Sequence, residues 1–160
     1  MRKFVLVAFC MLVSGSAAMA QKKVDTKWHC SVDPAKQASF AVGDVPGHSY
    51  VLIQGTCTAT KTDAGEKSGA FTEFQEIWAA SFTNHGRMNV TMDNGDVAYY
   101  TYSGSGPADI TKPAKNTWKI LSGTGKEKGI SVSGSCTGVR NADGTSDWTC
   151  SGTSTAAAAK

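Results

Sequence analysis

The sequence predicts an all-β, disulfide-stapled domain, and three observations carry that reading. Apolar and β-branched residues alternate with polar ones over short runs, separated by Gly, Asn and Asp turns. Two of those turns, Asp93-Asn94-Gly95-Asp96 and Ala142-Asp143-Gly144, have the chemistry of tight hairpins. Four cysteines, Cys30, Cys57, Cys136 and Cys150, remain once an N-terminal leader is set aside, and an even count in an exported chain reads as disulfides.

The leader is legible in its own right. Arg2 and Lys3 form a positive start, Phe4 to Val13 an apolar run, and Ala18-Met19-Ala20 a small-x-small cleavage site, which places the mature N-terminus at Gln21. A membrane anchor needs about 20 consecutive apolar residues, and Ser14, Gly15 and Ser16 interrupt the run too early. Cys10 leaves with the leader, because Phe9 stands where a lipoprotein signal has a small residue. The expected location is periplasmic or secreted, with no integral membrane segment after cleavage. Loss of Arg2 and Lys3 takes the formal charge from +3 to +1, and no basic run exceeds Lys22-Lys23. That balance offers no footprint for nucleic acid or an anionic membrane.

The rest of the chain reads as one domain, large enough to bury about two-thirds of its unfolded surface. Residues 21–47 are expected to be irregular, 48–153 to form the β domain, and 154–160, an alanine-rich run, to be a disordered tail. Strands are expected over His48 to Ala59 and Phe71 to Phe82. In the second, Phe71, Phe74, Trp78 and Phe82 fit helical spacing as well as a strand; strand is preferred because its surroundings are β-like.

Asn94-Gly95 suits a two-residue type I′ turn, in which both residues have positive φ. That register sets Met92 opposite Val97, Val90 opposite Tyr99 and Met88 opposite Thr101 on an inward face. Thr91, Ala98, Asn89, Tyr100, Arg87 and Tyr102 fall on the other. The second hairpin, with a three-residue loop ending at Gly144, pairs Asn141 with Thr145, Gly138 with Trp148 and Cys136 with Cys150. A Cys136–Cys150 bridge follows from that register, and Cys30–Cys57 by elimination. Trp118 and Ile120 alternate inward on a strand that enters the Gly123 to Gly129 turn.

Chemical motifs are sparse. Gly123-Thr124-Gly125-Lys126 has neither the spacing nor the following helix of a phosphate loop. His29, His48 and His85 lack the paired spacing of metal ligands. Glu66, Glu73, Glu76, Asp93 and Asp96 would need to converge on a cleft to act as acid and base, and no Gly-x-Ser-x-Gly elbow is present. The expectation is no catalytic residue, no metal and no cofactor.

Residues 116–129, Asn116-Thr117-Trp118-Lys119-Ile120-Leu121-Ser122-Gly123-Thr124-Gly125-Lys126-Glu127-Lys128-Gly129, with Gly134-Ser135-Cys136-Thr137-Gly138 after them, resemble the strand-turn-strand of the allene oxide cyclase barrel-like proteins. Pro46-Gly47-His48-Ser49-Tyr50 and Asp93-Asn94-Gly95-Asp96 resemble the same group, in particular its small exported bacterial members with paired cysteines. The resemblance spans His48 to Gly152 and implies an eight-stranded antiparallel barrel of calycin type. It implies no activity, since no catalytic residue of the plant enzymes can be matched here. The leading expectation is a non-enzymatic barrel binding a small apolar or aromatic ligand, with Met88, Val90, Met92, Val97, Tyr99, Trp118 and Trp148 as candidate cavity residues. The alternatives are a cyclase or isomerase with a barrel pocket, and a structural envelope protein whose barrel is filled. Oligomeric state is not readable from the sequence.

Overall fold

The computed structural model describes residues 21–155; the leader, residues 1–20, and residues 156–160 of the tail lie outside them. The strands are β1 (Gln21–Val32), β2 (Ala38–Ala41), β3 (Ser49–Thr62), β4 (Glu66–Ile77), β5 (Ser81–Met92), β6 (Val97–Pro107), β7 (Ala114–Gly123), β8 (Ser131–Arg140) and β9 (Ser146–Thr155). Each pairs antiparallel with its neighbour in the order β1-β9-β8-β7-β6-β5-β4-β3-β2, and β1 pairs again with β3. That last pairing closes an eight-stranded barrel. The short β2 lies on the same edge of β3 as β1, beyond a 3-10 turn at Pro34–Lys36 that Asp33 caps through the Ala35 amide.

Closure is possible because β1 is a regular strand, which corrects the expectation that 21–47 is irregular. Val24, Thr26, Trp28 and Cys30 recur at period two and all point inward. The intervening lysines, Asp25 and His29 had masked that alternation. The disulfides Cys30–Cys57 and Cys136–Cys150 both form, each between directly paired residues of adjacent strands. Thr155 closes β9, so the expected tail loses its first residues to a strand.

Phe71 to Phe82 is strand rather than helix, but it is two strands. Trp78 and Ser81 exchange backbone hydrogen bonds (2.8 and 3.3 Å) around Ala79-Ala80, so Phe71 and Phe82 belong to opposite arms of a hairpin. The β8–β9 hairpin has the expected register, with Gly138 opposite Trp148. Its loop closes through Asn141 N–H donating to the Thr145 carbonyl, with Gly144 at φ 85°.

The β5–β6 hairpin differs from expectation by one residue. Met92 N–H donates to the Asp96 carbonyl (2.9 Å) and Gly95 N–H to the Met92 carbonyl (3.0 Å), so the loop has three residues and only Gly95 has positive φ. The Asn94 side chain accepts from the Asp96 amide (2.9 Å), stabilising this loop instead of the type I′ turn. Val90 therefore faces Ala98, and Met88 faces Tyr100. A one-residue slip exchanges the faces of a strand. Ala98, Tyr100 and Tyr102 turn inward, while Val97 and Tyr99 turn outward, leaving Tyr99 37% exposed.

One end of the barrel is filled by Val90, Met92, Ala98, Val24 and Val132. The outward rows of β5 to β8 are mostly polar, with Thr83, Arg87, Asn89, Thr101, Ser103, Lys115, Thr117, Lys119, Ser133 and Ser135. Gly138 makes room for a ring: a Cβ there would stand 2.2 Å from Trp148 Cδ2. Gly138→Ala is expected to destabilise the fold by about 1–3 kcal/mol. Urea unfolding should register this as a lower midpoint at unchanged slope.

Candidate functional site

The other end of the barrel is hollow. A cavity of about 520 Å³ runs inward from the loops around Ile110, Ala142 and Gly144. Trp28, Phe71, Phe82, Met88, Tyr100, Tyr102, Trp118 and Trp148 contribute to its wall. Of the candidate cavity residues, Met88, Val90, Trp118 and Trp148 line it. Met92 lies deeper, in the packed cluster with Val90 and Ala98. Val97 and Tyr99 are on the outer face, for the register reason given above.

Two rows of side chains cross the wall as a polar belt, of which the sequence reading singled out Glu73 and Trp118 but not Gln75, Asn84, Tyr102 or Asn116. The first runs Gln75, Asn84, Gly104, Asn116 across β4 to β7, and the second Glu73, Gly86, Tyr102, Trp118. Glycine at 104 and 86 lets a neighbour lean across the gap. Asn116 Oδ1 lies 2.0 Å from where a Cβ on Gly104 would be, and the Tyr102 hydroxyl 2.4 Å from the corresponding point on Gly86. The lean turns that hydroxyl toward Glu73, whose carboxylate acts on the phenol. Glu73 Oε1 also accepts from Gln75 Nε2 at 2.5 Å. Deeper in, Glu66 accepts from the Thr26 hydroxyl (3.1 Å) and from the Thr62 hydroxyl.

Burial first, and then the Glu73 carboxylate, hold the Tyr102 phenol far above tyrosine's ordinary value. Burial, followed by Glu66 and Glu127, does the same to Tyr100. Both phenols are therefore hydrogen-bond donors rather than acids at any physiological pH. Asn84 Oδ1, Asn116 Oδ1 and Trp118 Nε1 are buried without a partner. Asn84 and Asn116 are 5% and 8% exposed, and such groups are destabilising until satisfied. The belt can bind and orient a molecule that brings its own hydrogen-bonding groups.

The remaining candidates fall outside the cavity. His29 Nδ1 meets Asp147 at 2.7 Å on the surface. His85 faces outward against Phe74. His48 is buried, its Nδ1 2.7 Å from Asp44 and its Nε2 3.0 Å from Glu76, with its ring stacked on Trp78 at 3.6 Å. Among the described residues no group of three His, Cys, Asp or Glu side chains is placed to hold a metal ion. The Gly123 to Gly129 loop is engaged by the protein's own carboxylate, since Lys126 N–H donates to Asp96 (2.9 Å).

The fold and cavity define the class: a closed, eight-stranded antiparallel barrel with one filled and one hollow end. In comparisons with known proteins, no family model and no curated protein matches the chain.

Burial disfavours a charged His48, but the carboxylates of Asp44 and Glu76 outweigh it and raise the histidine above its ordinary value. A raised folded value means that the charge-dependent stabilisation is complete below about pH 6.5 and is lost as pH rises through the folded value. His48→Gln should therefore lower the thermal midpoint at about pH 6 and lower it less at about pH 9. An equal loss at both would assign the contribution to stacking on Trp78 alone.

Proposed function

We propose that the protein is an exported, non-enzymatic binding protein whose barrel holds one small, largely apolar or aromatic molecule. The observation that carries this is the hollow end of the barrel, whose cavity of about 520 Å³ falls in the range of small-ligand sites. Eight-stranded barrels of this size can enclose one such ligand. Export is supported by the leader pattern of residues 1–20. Two disulfides within the barrel fit an extracellular or periplasmic location. Kinship with the allene oxide cyclase barrel-like proteins rests on the motifs of residues 46–138 and brings no activity with it.

Burying about 300 Å² of ligand against this wall would contribute about 7 kcal/mol before association costs, which corresponds to micromolar affinity at best. N-phenyl-1-naphthylamine, a neutral fluorophore, should therefore show saturable enhancement with the disulfide-bonded protein. Val51→Trp, which fills the cavity from β3, should weaken it at least tenfold. Tyr99→Asp, on the outer face, should leave it unchanged. No enhancement, or an undiminished response from a folded Val51→Trp protein, would overturn the binding function. Export has its own test: intact mass of the protein recovered from the envelope or medium should begin at Gln21, and retention of residues 1–20 would refute it.

A further inference from the structure

Two glutamate side chains are buried inside this barrel, and among the described residues no cationic side chain pairs with either. Glu66 and Glu73 are 5% and 8% exposed, and each is hydrogen-bonded only by neutral groups: threonine hydroxyls for Glu66, and the Gln75 carboxamide for Glu73. The cations among the described lining residues are Lys112 and Arg140, both exposed in the sequence segments that form the open rim. Lys112 is paired with Asp109 (3.6 Å), and the Arg140 guanidinium rests 4.7 Å over the Phe82 ring. A buried charge is stabilised by a partner of opposite sign far more than by neutral donors.

The asparagines of the belt can turn an acceptor toward such a partner. The carboxamides of Asn84 and Asn116 have unpaired oxygens, and a half-turn about the last torsion, which is soft, presents either oxygen to the cavity. Glu73 shares a cross-strand row with Tyr102 and Trp118, and Trp118 packs against Tyr100 at 5.5 Å between centroids. Aromatic faces around a carboxylate attract an organic cation through their quadrupoles. The unpaired Trp118 Nε1 is a single neutral donor and does not offset two carboxylates.

We propose that the ligand of this cavity is an organic cation: a protonated amine on an apolar or aromatic body, its ammonium group at Glu73 between Asn84 and Asn116 and its body against the ring wall. This rests on the binding function above and specifies its ligand chemistry. The ammonium supplies the charge that Glu73 lacks and donates to the two asparagine oxygens. A carboxylate in the same place would meet Glu73 with like charge, and an alcohol would satisfy one acceptor without neutralising anything.

The test is isothermal titration of the disulfide-bonded protein with 4-phenylbutylamine, 4-phenylbutanol and 4-phenylbutyrate, which share a body and differ in head group. The amine is expected to bind at least tenfold more tightly than the alcohol, and the carboxylate more weakly than either. Glu73→Gln, folded by circular dichroism, should abolish the amine's advantage and leave alcohol binding within about twofold. If the alcohol or the carboxylate binds as tightly as the amine, the cation assignment fails while the binding function stands. If none of the three binds, both fail. The comparison on the unaltered protein decides the matter whether or not Glu73→Gln folds.

Discussion

Closure of the sheet by β1 against β3 is the constraint on which the rest of this structure depends. Without it β1 and β3 would each present an unpaired edge, and inward-facing residues would have no common interior to face. The seam is held twice, by the backbone ladder from Thr26 to Val32 and by the Cys30–Cys57 bridge at its centre. β1 also pairs with β9 along ten residues, and β9 is bridged to β8 by Cys136–Cys150. The two disulfides thus brace the junctions on either side of the β1–β9 pairing.

Once closed, the barrel is shaped by its inward glycines. Gly69, Gly86, Gly104, Gly138 and Gly152 all stand where a Cβ would collide with a neighbour. Met88, Tyr102, Asn116, Trp118 and Trp148 occupy the space those glycines leave. Large side chains therefore lie along the wall instead of meeting on the axis, which is how a barrel with so many rings remains hollow. The same leaning brings the Tyr102 phenol to Glu73 and the Asn116 carboxamide toward Asn84.

The polar belt is at odds with the usual economy of a β core. Glu66, Glu73, Gln75, Asn84 and Asn116 are all buried, where aliphatic residues would fill space without desolvating charge. Polar groups in such a place, some of them unpaired, set this wall apart from an aliphatic core. His48 is a contrasting case. Its two carboxylate partners and its stacking on Trp78 leave no unsatisfied group, and it pins the 42–48 loop to the outer face of β3 and β4.

Several features were legible in the residues alone because they depend on local chemistry. Alternation marked the β class, Asn141 to Thr145 defined a hairpin whose register aligned Cys136 with Cys150, and the even cysteine count completed the pairing. Others needed the tertiary structure. Asp93-Asn94-Gly95-Asp96 can form a two- or a three-residue loop, and the choice between them moves Tyr99 out and Tyr100 and Tyr102 in. The inward alternates Tyr100, Tyr102, Gly104 and Gly106 were visible in the sequence, but parity becomes a face only when a partner strand assigns it. Glu73, Gln75, Asn84 and Asn116 lie on four different positions of three strands and share no motif. Local sequence by itself determined the β class, the β8–β9 hairpin and the disulfide pairing, whereas barrel closure decided which polar residues face one another, because that depends on register summed across strands far apart in the chain.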